Sequence, residues 1–205
     1  MYSQTINKKT KCVLEKIEKG NILKDFYLAG GTSLAIQLGH RESIDLDFFS
    51  KKHFSVFKKQ KEISLLGKFI LDYKDRNTLD GVLDGVKVSF FYYDYRLLYP
   101  CVKLKKINLA DKRDIACMKI DAISSRGSKK DFIDFYFLLQ EYNLPQLILF
   151  FEKKYKEIKF NKLHILKSLT YFDDAEGEPM PVMIKKVLWK QVKEKIKQEV
   201  KIMAD

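Results

Sequence analysis

The spacing of apolar residues changes several times along the first part of the chain. A helical spacing, which predicts a helix that stops near Gly20, is formed by Ile6, Val13, Leu14, Ile17 and Ile22. The run FYLAG (Phe26–Gly30) then predicts a short buried strand, and GTSLAIQLGH predicts a helix behind it. In IDLDFF (Ile44–Phe49) aspartates alternate with apolar residues, which predicts a strand with one polar face and one buried face.

The next region predicts a helix followed by an antiparallel meander. Residues Phe54–Leu66 have helical spacing. Three segments rich in β-branched and aromatic residues follow, with Asp-Gly turn residues between them: KFILDYKD, TLDGVLDG and VKVSFFYYDY. The aromatic residues of Phe90–Tyr95 could stack on nucleobases, but at strand spacing they more often pack in a core or at a sheet edge.

From Asp111 onward the pattern predicts helices. Two apolar stripes are followed by further helical segments, which cover Pro145–Tyr155, Lys162–Tyr171 and Val182–Ile202, with a loop near Asp173–Pro181. We therefore expect an α+β fold in which residues 1–108 form a mixed or antiparallel sheet core with flanking helices. Residues 109–205 would form a helical domain that completes a cleft.

Composition narrows the class of protein. With 205 residues, 46% of them hydrophobic, the chain can bury a core, and no apolar stretch is long enough to span a bilayer. The net charge of +12 favours a polyanionic partner, although a lysine-rich solvated surface accounts for it equally well. Cys12, Cys101 and Cys117 have neither metal-ligand spacing nor a disulfide pattern, so we expect a cytoplasmic protein without a membrane partner.

The segment Gly30-Gly31-Thr32-Ser33 has the outline of a phosphate cradle. Glycines let the backbone approach an anion closely, and a helix start offers free N–H groups and a positive dipole end. Thr32 and Ser33 would add hydroxyl donors. Taken alone, this segment is more often an ordinary turn from a strand into a helix.

Asp45 and Asp47 strengthen the functional interpretation. Alternation on a strand puts both carboxylates on one face, where they would repel each other unless a cation lay between them. Mg²⁺ accepts two carboxylates together with water and phosphate oxygens. The alternative is an edge strand with its aspartates in solvent, but the preceding glycine turn and short helix make that less convincing.

These residues carry a family resemblance. The segment LAGGTSLAIQLGHRESIDLDFFS (Leu28–Ser50) closely resembles the motif of AbiEii-type nucleotidyltransferases, toxins of abortive-infection toxin–antitoxin systems in the DNA polymerase β-like superfamily. Asp114–Ala122 resembles the family's Asp-x4-Lys-x2-Ala motif, and Asp131 with Leu138-Leu139 matches its Asp-x6-Leu-Leu motif. SLTYFDDAEGEPMP (Ser168–Pro181) is similar to a C-terminal segment of one branch.

The resemblance implies roles for individual residues. Asp45 and Asp47 would hold one or two catalytic Mg²⁺ ions, and an NTP would be the substrate. Lys119 would neutralise phosphate charge and Asp131 would complete the active site as a base or an anchor. The residues implied in nucleotide binding are Gly30, Gly31, Thr32, Ser33, Arg41 and Lys119. Arg41 could clamp phosphate or pair with an aspartate, and a supporting role is favoured.

The sequence departs from the superfamily pattern at one position. A third carboxylate commonly lies on a later strand, and in VKVSFF (Val86–Phe91) the corresponding residue is Ser89. Either another acid serves (Asp84, Asp94 or Asp131 being the candidates) or the attacking hydroxyl is handled differently. The general base therefore stays open.

The resemblance implies transfer of a nucleoside monophosphate from an NTP to an acceptor hydroxyl, with the 3′ end of tRNA as the expected acceptor and a cognate antitoxin as a protein partner. A protein hydroxyl or a small molecule remains an alternative acceptor. The alternative functions are a non-catalytic nucleotide- or RNA-binding protein of the same fold and, ranked lowest, a nuclease. The acidic stretch Asp173–Glu178 is expected to be a solvated loop or a patch that contacts the basic body.

Overall fold

The computed structural model describes residues 2–204, which form one seven-stranded sheet flanked by helices. The strands are β1 (Tyr27–Leu28), β2 (Leu46–Ser50), β3 (Phe69–Lys74), β4 (Thr78–Leu83), β5 (Val86–Tyr92), β6 (Val102–Leu104) and β7 (Ile107–Leu109). The helices are α1 (Lys8–Lys19), α2 (Gly30–Leu38), α3 (Val56–Ser64), α4 (Lys112–Ser125), α5 (Lys129–Leu138), α6 (Leu144–Lys154), α7 (Lys162–Thr170), α8 (Asp173–Glu176) and α9 (Trp189–Ala204). A short 3₁₀ turn at Ser3–Thr5 precedes α1.

The sheet is mixed, in the order β3-β4-β5-β2-β1-β7-β6. The predicted meander is confirmed, because β3, β4 and β5 pair antiparallel. Strand β2 then pairs parallel with β5 and antiparallel with β1, and β1 pairs parallel with β7. The α+β class is confirmed, and so are helices after Asp111.

Local sequence explains where the helices begin and end. Asn7 caps α1 by accepting a hydrogen bond from the backbone N–H of Thr10, and the helix ends before Gly20, as predicted. Asp111 caps α4. Helix α6 begins with a capping box in which Asn143 and Gln146 satisfy each other's backbone N–H groups.

Two hydrophobic cores lie on opposite sides of the sheet. One packs α1 and α3 against the inward side chains of the strands, such as Leu46, Phe48 and Phe90. The other is formed largely by helices α4 to α9 and includes Phe132 and Phe151. The alternation in β2 therefore buries Leu46 and Phe48 in the first core and turns Asp47 to the other face of the sheet.

Several predicted boundaries were wrong. The first strand is shorter than Phe26–Gly30, and β2 begins at Leu46, so Ile44 and Asp45 precede it. The hairpin of β6 and β7 was missed, because its strands are three residues long. Helix α9 begins at Trp189 rather than at Val182, and the predicted loop contains the short helix α8.

The segment before α9, residues 182–185, is extended because it pairs with the turn before β2. The backbone of Met183 bridges antiparallel to that of Arg41, and the carbonyl of His40 accepts from Ile184 and Lys185. We call residues 182–185 the strap. The proposed division at residues 108 and 109 falls inside β7, and it stays a prediction. Within residues 2–204 no helix is long and apolar enough to cross a membrane.

Candidate active site

A cleft of about 530 Å³ lies between β2, the start of α2, helices α4 and α5, and the strap. Of the residues singled out in the sequence, those that line it are Gly30, Gly31, Arg41, Asp45, Asp47, Lys119 and Asp131. The structure thus brings together side chains and backbone from three separate motifs. The volume falls within the roughly 300–1,000 Å³ that is typical of small-molecule sites.

Asp45 and Asp47 are the acidic wall of this cleft. Burial raises the pKa of the Asp47 carboxyl above its ordinary value, and the neighbouring Asp45 carboxylate raises it further. The aspartates that form salt bridges are others, namely Asp25, Asp84, Asp111, Asp114, Asp131 and Asp134. Within residues 2–204 neither Asp45 nor Asp47 forms a salt bridge, so the charges of Lys119, Lys87 and Lys130 lower the pKa of Asp47 only from a distance.

This arrangement fits a divalent cation with an incomplete protein shell. Within residues 2–204 no group of three or more His, Cys, Asp or Glu side chains is placed to hold a metal ion. Two carboxylates remain, and Mg²⁺ readily takes its other ligands from water and phosphate oxygens. A cation beside Asp47 would also relieve the repulsion that raises the pKa of its carboxyl.

Glycine is required at positions 30 and 31 because side chains of the site approach the backbone closely there. Gly30 has φ +64°, and a Cβ placed on it would lie 3.0 Å from Oδ2 of Asp47. A Cβ on Gly31 would lie 2.5 Å from Nη2 of Arg41, closer than real contacts allow. The backbone at the start of α2 is therefore in direct contact with the acidic wall and with Arg41, and it lines the cleft.

The hydroxyls of Thr32 and Ser33 face away from the cleft. Thr32 Oγ1 contacts the backbone carbonyl of Asp45 and lies 2.8 Å from Oγ of Ser43. Ser33 is buried, and its Oγ accepts from the side-chain amide of Gln37. This placement does not support the prediction that the two hydroxyls donate to phosphate. Thr32 instead ties α2 to the residue that begins the acidic wall.

Asp134 lies at the centre of an ionic cluster, which contains the buried residues Arg41, Lys119 and Asp131 and the exposed Arg126. Arg41 binds Asp134 with Nε at 2.7 Å and Nη2 at 2.8 Å, so it pairs with an aspartate, and its contact with phosphate stays a prediction. His40 Nε2 lies 2.7 Å from Oδ1 of Asp134, and Lys119 Nζ lies 2.5 Å from its Oδ2. Burial alone would raise the pKa of Asp134, but Arg41 and Lys119 outweigh it and hold that pKa well below its ordinary value.

Asp131 is compensated in the same way. It accepts from Lys119 Nζ at 2.7 Å, from Arg126 Nε at 2.9 Å and from Ser128 Oγ at 2.7 Å. Against the effect of burial, Lys119 and Arg126 lower the pKa of Asp131. Burial disfavours the charged form of Lys119, but Asp134 and Asp131 raise its pKa above the ordinary value. Lys119 is therefore a charged residue shared between two aspartates, and it still reaches the cleft.

Several residues of the site were not predicted from the sequence. Asp134 is one helical turn after Asp131, a spacing that could have revealed it. Arg126, Lys130 and Asp121 line the cleft, as do Pro181 and Val182 at the strap. Nothing in the local sequence around Pro181 indicates that this distant segment closes the cleft.

The position of the third carboxylate is occupied by Ser89. Strand β5 pairs parallel with β2 so that Ser89 lies directly beside Asp47. Asp84 is in the turn between β4 and β5 and pairs with Lys16 at 2.7 Å, and Asp131 is held in the ionic cluster. Asp121 is a cleft-lining acid outside that cluster.

Comparisons with known proteins agree with this geometry. The family described as nucleotidyl transferase AbiEii toxin, type IV TA system, matches residues 13–110, which contain the glycine turn and the acidic wall. An uncharacterized protein of Aquifex aeolicus (strain VF5) is 42% identical in an alignment of 202 positions that covers 96% of each chain. No function comes with that relative, but the likeness extends over both halves of the fold.

Solved structures share the fold at low identity. A protein of H. pylori assigned as a nucleotidyltransferase superposes with a TM-score of 0.63 at 16% identity, covering 99% of this chain and 96% of that one. MenT4, a nucleotidyltransferase toxin of Mycobacterium tuberculosis H37Rv, gives a TM-score of 0.61 at 12% identity, covering 97% and 86%. These structures show the fold alone. The family match over the glycine turn and the acidic wall shows that the chain belongs to the AbiEii nucleotidyltransferase family and is a nucleotidyltransferase.

Proposed function

We propose that this enzyme transfers a nucleoside monophosphate from an NTP to an acceptor hydroxyl in a Mg²⁺-dependent reaction, with the 3′ end of tRNA as acceptor. The observation that carries the proposal is the acidic wall of Asp45 and Asp47, which lines the same cleft as Gly30 and Gly31 and in which Asp47 lies against Gly30 at the start of α2. Acids without basic partners beside a helix start suit a metal-bound triphosphate.

The chain's own groups would hold the substrate. Free backbone N–H groups at the start of α2 and the positive end of its dipole would bind phosphate oxygens. When bound, Mg²⁺ on Asp45 and Asp47 would neutralise phosphate charge and lower the pKa of the acceptor hydroxyl. The rate enhancement would then come largely from positioning and electrostatic stabilisation.

The basic residues of the cleft would have two roles, which are contact with the triphosphate and support of the cleft. The side chain of Arg126 is 62% exposed and Lys130 is also exposed, so both can reach the triphosphate. Lys119 and Arg41 are buried in the ionic cluster, where they would fix the shape of the cleft and supply positive potential. The cluster's three cations, Arg41, Lys119 and Arg126, exceed its two anions, Asp131 and Asp134, by one charge.

Asp121 is our candidate for the general base, because Ser89 cannot serve. It lines the same cleft as the acidic wall and lies outside the ionic cluster. Asp121→Asn is expected to lower kcat with little change in the KM for NTP, since the carboxylate would act on the acceptor hydroxyl. An unchanged kcat would remove Asp121 from this role.

The test is label transfer by the purified protein. Incubation with labelled NTPs, Mg²⁺ and total tRNA is expected to label the RNA, and Asp45→Ala is the inactive control. Label on a protein would indicate that the acceptor is a protein hydroxyl rather than tRNA. No transfer to either by the wild type would defeat the enzymatic proposal.

The proposed biological role is that of a toxin held in check by a cognate antitoxin, which the family description supports. Induction of the chain alone is expected to arrest growth, and co-expression of the protein from an adjacent reading frame to restore it. Asp45→Ala should be harmless. Growth arrest by Asp45→Ala would show that toxicity does not depend on the acidic wall.

A second candidate function is binding of nucleotide or RNA without turnover, and Ser89 in place of a third carboxylate favours it. Calorimetry separates the two candidates, because a non-catalytic protein would bind Mg²⁺–NTP and leave it intact in the presence of acceptor.

A further inference from the structure

A second cavity, of about 340 Å³, lies beside the cleft. It is formed by the end of α4 and the first residues of the turn after it, by α7 with the residue that follows it, and by Asp174 of α8. The side chains that give it its character are Arg126, His164, Lys167, Ser168, Tyr171 and Asp174. We refer to it as the α7 cavity.

Arg126 joins the two cavities. It lines both, and its guanidinium is held on the cleft side by Asp131 at 2.9 Å. A ligand that extends out of the cleft past Arg126 therefore enters the α7 cavity. The family match ends at residue 110, before every residue that lines the α7 cavity, and none of the predicted site residues lines it, so neither assigns this second cavity.

The lining of the α7 cavity suits a nucleic-acid strand. His164 and Lys167 are exposed on one face of α7, about one helical turn apart, and Tyr171, which follows the last residue of α7, is also exposed and lines the same cavity. Lys167 and Arg126 offer positive charge to phosphates, while the ring of Tyr171, 53% exposed, offers a stacking surface. Asp174 at the rim is an acceptor for a 2′-hydroxyl or a base amine.

We propose that the α7 cavity binds the backbone of an RNA acceptor, upstream of the 3′ end that enters the cleft. This inference rests on the proposed function, because it takes the acceptor to be RNA. Continuity through Arg126 favours a strand that threads both cavities over an acidic protein segment, which would need no contact with the cleft.

Binding of a short single-stranded RNA oligonucleotide, measured by fluorescence anisotropy, tests the cavity without requiring turnover. Lys167→Glu is expected to weaken binding roughly tenfold and to reduce the salt slope by about 0.7, the value for one lost phosphate contact on a single strand. Tyr171→Ala should weaken binding with no change in slope. Lys58→Glu on α3 makes the same charge change at an exposed position outside both cavities and should bind as the wild type does.

Kinetics with two acceptors then locate the contact. Lys167→Glu should raise the KM for the oligonucleotide and leave the KM for a dinucleotide unchanged, because a dinucleotide is too short to reach the α7 cavity. Equal oligonucleotide affinities for Lys167→Glu and the wild type would overturn the proposal. So would weakened binding of poly-glutamate with RNA binding unchanged, which would assign the cavity to an acidic protein.

The two proposals fail in different ways. If the wild type labels no acceptor while Lys167→Glu weakens RNA binding relative to Lys58→Glu, the proposed enzymatic function fails and the α7 cavity stands. If the wild type labels RNA and Lys167→Glu has wild-type affinity and KM, the cavity proposal fails and the enzymatic function stands.

Discussion

Two pairs of aspartates at or next to the cleft have opposite electrostatic environments: Asp131 with Asp134 in the ionic cluster, and Asp45 with Asp47 in the acidic wall. Asp131 and Asp134 are buried, but Lys119 and Arg126 lower the pKa of Asp131, and Arg41 and Lys119 lower that of Asp134. In the acidic wall, burial and the Asp45 carboxylate raise the pKa of Asp47. The same side chain is thus neutralised by the protein in one place and left in need of a cation in the other.

The difference separates structural from ligand-binding acids. A buried carboxylate with strong ionic partners holds elements together, as Asp134 joins α5 to the turn before β2. A buried carboxylate without such partners destabilises the fold unless a ligand supplies the missing charge. The pairs should therefore respond in opposite directions when their charge is removed.

The largest effect is expected at the compensated pair. Asp134→Asn leaves Arg41 and Lys119 as buried cations without a full counter-charge, so the free energy of unfolding should fall by about 3–5 kcal/mol. Denaturant unfolding measures the change. Asp173→Asn, at an exposed position, should change it by less than about 0.5 kcal/mol. An Asp134→Asn protein as stable as the wild type would contradict the structural role.

Gly31→Ala tests how closely the glycine turn lies against the ionic cluster. The new Cβ would lie 2.5 Å from Nη2 of Arg41, so the guanidinium must move off Asp134 and the stability should fall by about 1–3 kcal/mol. Gly177→Ala is the matched control, because a Cβ there has no atom within 4 Å. Equal unfolding curves for the two variants would show that Arg41 moves freely.

Asp47→Asn should change the free energy of unfolding in the opposite direction to Asp134→Asn and Gly31→Ala. Because the fold raises the pKa of Asp47, the ionised carboxylate costs stability at neutral pH, and the neutral amide should raise the free energy of unfolding by about 0.5–2 kcal/mol without metal. Thermal unfolding with and without Mg²⁺ measures both effects. The variant should lose the stabilisation by Mg²⁺ that the wild type shows, and a variant that keeps it would move the metal elsewhere.

The smallest effect expected is a pH dependence of Mg²⁺ affinity. Binding requires the deprotonated carboxylate, so affinity should fall as pH drops through the raised pKa of Asp47, by at most about tenfold per pH unit. Calorimetric titration with Mg²⁺ at a series of pH values measures it. An affinity that is flat down to the ordinary range of an aspartate would show that Asp47 is not a ligand.

The sequence predicted what depends on local pattern and missed what depends on distant contacts. Alternation in Ile44–Phe49 put Asp47 opposite a buried face, and the glycine pair located the helix start, because both follow from short-range geometry. The partner of Arg41 could not be chosen, since Asp134 is far along the chain. The strap was predicted as part of a helix, because the spacing of its apolar residues does not indicate that its backbone pairs with Arg41.

Dependence on distant contacts also explains why the direction of the Thr32 and Ser33 side chains was not predicted. Their position in a glycine-containing turn indicates phosphate donors, but rotation along α2 turns both side chains inward. Arg126 and Lys130, which do reach the cleft, lie where α4 gives way to α5, and nothing in their local sequence distinguishes them from solvated residues. Acidic residues around α8 did contact the basic body, as one alternative held, through Glu176 to Lys193 and Glu178 to Lys129.

Because the strap pairs with a turn that lies far earlier in the chain, the cleft cannot be completed until the strap has been synthesised. The turn that carries Arg41 is synthesised well before its hydrogen-bonding partners at residues 182–185. Until those residues have been made and have left the ribosome, the cleft lacks the wall that includes Pro181 and Val182. A nascent chain that has folded only as far as the helices before the strap therefore has an incomplete cleft.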